Sequence, residues 1–151
     1  MPRTTKSPPA RAATTENVGF LLAQASQRFN AILVERFAAR GFGEVRASYG
    51  SVLVPLFERD GLRLGELAST ARLSKQAMTG LVGRCEADGL VARERDPNDG
   101  RAFNVRLTER GNAFKGVADD VLEELERALV RQLGTRNHTA LIRALKGVID
   151  L

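Results

Sequence analysis

The sequence is short of the residues that most site chemistry needs. Its 151 residues hold one cysteine, one histidine, one tyrosine and no tryptophan. A single cysteine excludes a disulfide framework, and one cysteine with one histidine leaves too few soft ligands for a structural zinc site. Aromatic residues at 5% argue against an aromatic-lined sugar or base-stacking site. No nucleophile has a histidine to pair with, and no glycine loop has the pattern that cradles phosphate, so we expect neither an enzyme nor a cofactor. The first thirty residues lack the apolar run of a signal peptide, and no stretch is long enough to span a bilayer. The chain therefore reads as soluble and cytoplasmic, with no membrane partner, in a reducing compartment. There is no internal repeat at a 20 to 50 residue period.

What is present is charge and helical patterning. Lys and Arg number 23 against 18 Asp and Glu, a net +5, and the pI is near 10.1, which suits a polyanionic partner. At 43% hydrophobic the composition supports one compact domain. Residues 1–16 carry +2, 17–60 carry +1, 61–110 carry +2 and 111–151 are neutral, so the excess sits in the leader and the middle. Residues 1–16, with Pro2, Pro8 and Pro9 among Thr, Ser, Lys and Arg, read as a flexible basic arm.

From Asn17 to about Arg40 the apolar positions Val18, Leu22, Ala25, Phe29, Ile32, Leu33 and Phe37 recur at helical spacing, and Gly41 and Gly43 end the helix. Ser48 is expected to cap a second helix towards Phe57, with Pro55 kinking or ending it early. After Gly61, Leu64, Leu67, Ala68 and Ala71 mark a short helix, followed by the tight connection Ala71-Arg72-Leu73. Ser74 caps the next helix, and Leu73 is placed to staple onto Met78. Met78, Leu81, Val82 and Cys85 carry the buried stripe to Gly89.

Two short helices joined by so tight a turn form a helix-turn-helix candidate. Two extended runs follow, Leu90 to Arg95 and Ala102 to Leu107, separated by the turn-rich Asp96-Pro97-Asn98-Asp99-Gly100. Phe103, Val105 and Leu107 alternate with Ala102, Asn104 and Arg106, which predicts an inward and an outward face for a β-hairpin, or wing. Thr108 then caps a helix with the stripe Phe114, Val117, Val121, Leu125, Leu129 and Leu133, too long and too apolar for the rest of the chain to cover. Leu141, Ile142, Leu145, Val148 and Ile149 mark a last amphipathic helix.

From Leu64 to Gly111 the sequence, LGELASTARLSKQAMTGLVGRCEADGLVARERDPNDGRAFNVRLTERG, resembles the MarR family of winged helix-turn-helix regulators. Asp99-Gly100-Arg101, with Asp96-Pro97-Asn98 before it and Leu107-Thr108 and Gly111 after it, is similar to that family's wing signature. The resemblance covers roughly residues 17–150. It implies a mainly α fold with a small β-hairpin wing (α+β), as a single MarR-like domain over 17–151. The winged helix-turn-helix would occupy about 46–108, and helices at about 17–40 and 109–151 would intertwine with those of a second copy. The implied function is a sequence-specific double-stranded DNA-binding regulator, more often a repressor, acting as a homodimer on a pseudo-palindromic operator. A small lipophilic or aromatic effector would release it.

The guanidinium of Arg101 on a narrow wing suits the minor groove, with Asp99 holding its geometry. Ser74, Lys75, Gln76 and Thr79 open the helix that would lie in the major groove, where Gln76 can pair with adenine and Lys75 with guanine or phosphate. Arg72, Arg84 and Arg95 are backbone-contact candidates. Each residue alone is an ordinary exposed polar group, and the weight lies in their clustering. Cys85 sits on the buried stripe and reads as core rather than as a redox sensor. His138, without partners, reads as surface. Phe29, Tyr49 and Phe57 are candidate liners of an effector pocket, against the commoner reading of such aromatics as core. Gly80 and Gly83 inside the recognition helix suggest close approach of DNA or of a neighbouring helix. The alternative is a winged-helix protein-interaction module that binds no operator.

Overall fold

The computed structural model describes residues 13–151. Most of the arm expected over 1–16 therefore lies outside the described residues. Helix α1 runs Val18–Ala39, with the Asn17 side chain accepting the Gly19 amide as its cap. A 3-10 turn, Ala47–Tyr49, leads into α2, Gly50–Glu58. A two-residue strand β1, Leu62–Arg63, precedes α3, Leu64–Ala71, and α4, Lys75–Ala87. Strands β2, Val91–Asp96, and β3, Asp99–Leu107, form the hairpin, and α5, Glu109–Leu133, and α6, Thr135–Ile149, complete the chain. No helix among the described residues is long and apolar enough to cross a membrane.

Several local expectations need correction. Ser48 caps nothing. It lies inside the 3-10 turn, and α2 starts two residues later with no side-chain cap. Nor does Pro55 end α2, which runs on to Glu58 with Pro55 in its interior. The strand β1 went unforeseen because two residues are too short to show a period. It pairs antiparallel with β3, Leu62 opposite Val105, and gives the sheet its order β1-β3-β2.

The core joins both halves of the chain. Phe37, Phe42 and Phe57 surround Phe114, the first edge-on at 4.8 Å between centroids and the second at 5.2 Å, so α1, α2 and α5 meet at one aromatic cluster. Met78, Val82 and Cys85 are fully buried, which places one face of α4 in the core as the stripe requires. Burial pushes the Cys85 thiol up to about 12, so it stays protonated and inert.

Gly111, in the first turn of α5, shows why no side chain fits there. A Cβ would stand 2.1 Å from the Leu90 carbonyl oxygen, which accepts the Thr108 amide. The start of α5, with the Thr108 side chain capping Gly111 and donating to the Gly89 carbonyl, is thus packed directly on the junction of α4 and β2.

The last helix differs from the rest. None of its residues is buried, and Leu141, Ile142, Leu145, Val148 and Ile149 all stand exposed. Val18, Phe20 and Leu21 at the start of α1 are exposed as well. His138 is the exception to the surface reading. Its side chain is only 12% exposed, and Nε2 lies 2.6 Å from Glu126 across the α5–α6 elbow.

Candidate nucleic-acid interface

The turn between α3 and α4 is built by Arg72, the only non-glycine with positive φ among the described residues (φ 54°, ψ 38°). This left-handed residue ends α3 and lets Ser74 begin α4 two residues later. The Ser74 hydroxyl accepts the Ala77 amide at 3.1 Å, as the sequence predicts, and its own hydrogen remains free to donate outward. Lys75, Gln76 and Thr79 are exposed along the first turns of α4. The Thr79 hydroxyl donates to the Lys75 carbonyl at 2.7 Å, so towards a ligand it offers lone pairs rather than its hydrogen. Arg84 is exposed, with no ion pair among the described residues.

The wing differs from its expected form. Its turn is only Pro97-Asn98, because the strands extend to Asp96 and Asp99, which face each other. Arg95 faces Phe103, so the register shift beside Asp96 leaves Gly100, Arg101 and Ala102 without opposite numbers on β2. Arg101 thus rides on a bulge, which re-aims a side chain. The Asp99 carboxylate accepts the Arg101 backbone amide at 3.1 Å, and the guanidinium has no partner among the described residues. Phe103 does not face inward. It is 45% exposed because the wing projects beyond the core, and the Arg95 guanidinium lies 5.8 Å from its ring centroid. Only Val105 and, in part, Leu107 keep the inward pattern.

The structure brings Lys75 of α4 and Arg101 of β3 to one groove of about 500 Å³. Arg63 and Arg93 line it too, with Glu66 as its one acid and Leu64, Phe103 and Val105 as its apolar floor. Gln76, Thr79 and Arg84 stand on α4 outside this groove. Arg72 and Arg95 are engaged within the protein. Arg72 donates to the Ile149 carbonyl at 2.5 Å and to Asp150 at 3.1 Å, at the end of α6, and Arg95 donates to the Gly100 carbonyl at 3.4 Å.

Sequence reasoning missed Arg93 and the pair that anchors the wing. Period two places Arg93 on the same side of β2 as Arg95, so singling out Arg95 implied it. Asp96 accepts the Asn98 amide at 2.9 Å and the Arg63 guanidinium at 2.6 Å. These two donors, the amide foremost, hold its carboxyl below the usual carboxylate range. An aspartate opening a Pro-Asn turn was the available signal, since its side chain commonly accepts the amide two residues on.

The α4 glycines have room. A Cβ on Gly80 would meet only the Arg84 guanidinium at 3.7 Å, and one on Gly83 only Arg93 at 3.6 Å. No neighbouring helix explains them.

Comparison with known proteins supplies the context. Residues 56–102 match the model of the MarR family. The chain is 31% identical over 96 residues to the homoprotocatechuate degradative operon repressor of Escherichia coli, covering 64% of this chain and 65% of that one. It superposes with TM-score 0.76 and 26% identity on the transcriptional repressor CouR bound to a 23-mer DNA duplex, covering 89% and 94% of the two chains. It superposes with TM-score 0.75 and 25% identity on BpsR of Bordetella bronchiseptica, whose DNA binding is regulated by 6-hydroxynicotinic acid, covering 91% and 96%. Four curated relatives are matched over 35%, 60%, 52% and 65% of their own lengths, so the chain spans about a third to two thirds of each.

Proposed function

We propose that this chain, whose residues 56–102 match the MarR family model, is a member of that family and a sequence-specific double-stranded DNA-binding transcriptional regulator, a homodimeric repressor released by a small aromatic ligand. The observation that carries the proposal is the groove shared by Lys75 and Arg101, with an unpartnered guanidinium on the wing beside an exposed recognition helix. In this reading residues 17–151 are one domain working in the cytoplasm, with 46–108 as the reading lobe and helices 17–40 and 109–151 as the dimer base. Ser74, Lys75, Gln76 and Thr79 face the major groove, Arg84 faces a phosphate, and Arg101, set by Asp99, enters the minor groove. Arg72 and Arg95 reach phosphate only by giving up their present partners.

The exposed apolar stripes of α1 and α6 support a second copy as their cover. A cavity of about 90 Å³ between α1, α2 and α5 supports the ligand. Phe37, Phe57 and Phe114 supply aromatic walls and Arg46 the only charge, a lining that suits an aromatic carboxylate.

The test is fluorescence anisotropy of labelled duplex from the gene's own upstream region, across a salt series. Affinity should fall steeply with salt through counterion release, and Arg101→Ala should weaken binding by about tenfold or more, as expected for about 1–3 kcal/mol. Absence of binding at low salt by a dimeric protein would overturn the proposal.

A further inference from the structure

Tyr49 joins the 3-10 turn beside the small cavity to the C-terminal end of α4. Its residue is 1% exposed, and its hydroxyl donates to Asp88 Oδ2 at 2.5 Å. Asp88 is the C-cap of α4, its own amide bonded to the Arg84 carbonyl, and Gly89 after it turns the chain into β2. On the other side, Tyr49 ends the 3-10 turn that begins at Ala47, and its amide donates to the Arg46 carbonyl at 3.0 Å. Arg46, Ala47, Gly50 and Leu53, the residues around Tyr49, line the small cavity. Burial, then Asp88, raise the Tyr49 hydroxyl above its ordinary range, while Arg46 lies near enough to oppose the shift.

The cavity is about 90 Å³ and partly open to solvent, less than the roughly 150 Å³ of a dry cavity that takes benzene. An aromatic acid seated with its carboxylate on Arg46 therefore bears on the walls around it. The wall carrying the counter-charge is the turn that also carries Tyr49, and a fully buried phenol cannot slip relative to its neighbours without opening a void.

We propose that the Tyr49–Asp88 hydrogen bond, driven by displacement of the Arg46–Tyr49 turn, is the connection through which an aromatic carboxylate in this cavity moves the recognition helix. This rests on the regulator reading above and adds to it a route. Arg46 pairs with the carboxylate, the turn shifts outward, and Tyr49 pulls Asp88 and with it the C-terminal end of α4. Tyr49 is a positioning residue here. It touches neither the ligand's charge nor DNA.

The experiment uses the full chain and benzoate as probe. Benzoate affinity is measured by calorimetry, and affinity for upstream DNA by anisotropy with and without saturating benzoate. In the wild type benzoate should weaken DNA binding by about tenfold, and DNA should weaken benzoate by the same factor. Tyr49→Phe should keep the benzoate affinity and the ligand-free DNA affinity within roughly threefold, yet shrink the coupling to under about twofold. Asp88→Ala should do the same from the other end, whereas Asp88→Asn, which retains an acceptor, should keep the coupling.

A merely structural role would lower thermal stability and leave that coupling ratio unchanged. Undiminished coupling in both Tyr49→Phe and Asp88→Ala overturns the proposal, as does failure of the wild type to bind benzoate. Failure to bind DNA is a separate outcome that removes the regulator reading. Amide exchange at Cys85–Leu90 then decides the route, since protection that benzoate leaves unchanged overturns it.

Discussion

The winged lobe and the helical base are finished to different degrees within one chain. From Val45 to Val105 the lobe buries Tyr49, Val52, Leu53, Leu56, Leu67, Met78, Val82, Leu90 and Val91 almost completely. The base has a buried inner half, Phe37 on α1 and Phe114, Ala118, Val121 and Leu125 on α5, and an outer half on α6 in which no residue is buried. The difference teaches where the folding information is self-sufficient. The lobe's core is completed by Phe37 and Phe114 from the inner half of the base, whereas α6 presents an amphipathic helix with its apolar side exposed, an arrangement a second copy would resolve.

The largest disruption of the lobe should come from Gly111→Ala. The added methyl has a backbone carbonyl in its way rather than a side chain that could swing aside, and we expect a loss of about 3 kcal/mol in urea unfolding, at the upper end of overpacking costs. The corresponding break in the base is Ile142→Asp with Leu145→Asp. Sedimentation should then report a monomer, while amide protection in α4 stays close to wild type, and DNA affinity should drop steeply because two half-sites are no longer engaged together. A monomer with a molten lobe would contradict the claimed independence.

Gly80→Ala sharpens the comparison in the stabilising direction. The space around Gly80 is open, so the lobe should gain about 1 kcal/mol, a rise in Tm of about 2–4 °C. Acid should loosen the wing, and also the ion pairs of the base, because the Glu44 carboxyl is held low by Arg110 and that of Glu124 by Arg40. Because the folded Asp96 carboxyl is held low, its stabilisation is complete above its unfolded pKa and is lost as pH falls through the folded value, below about 4. NMR of the Asn98 amide should show the wing loosening as Asp96 is protonated. The smallest effect is expected for Asp150→Asn. It weakens an exposed tether on Arg72 and should raise DNA affinity by only about two- to threefold at low salt, with no difference at high salt.

Much of this was legible without coordinates. Caps at Ser74 and Thr108, the stripe Met78 to Cys85 and the terminator Gly89 are local devices, and local devices are written in consecutive residues. The wing was legible as a hairpin but not in its detail, because its bulge depends on register between strands, and the exposure of Phe103 depends on how far the hairpin projects. Arg63 with Asp96, Arg72 with Asp150 and Tyr49 with Asp88 are separated by 33, 78 and 39 residues. Each is a single polar contact made only after the chain has folded back, and no spacing rule announces it. His138 was misjudged for the same reason, its partner lying across a helical elbow.

The absence of a side chain at Gly111 also decides how α5 behaves mechanically. With 25 residues the helix is about 37 Å long at 1.5 Å per residue, and its first turn rests on the backbone of the α4–β2 junction, beside the Leu107 side chain. It acts as a stiff lever with a hard bearing. A tilt of about 5° set at the far end would displace the near end by about 3 Å over that length, close to one base-pair step. The wing would follow that displacement because Thr108 is bonded to the Gly89 and Leu90 carbonyls at the bearing.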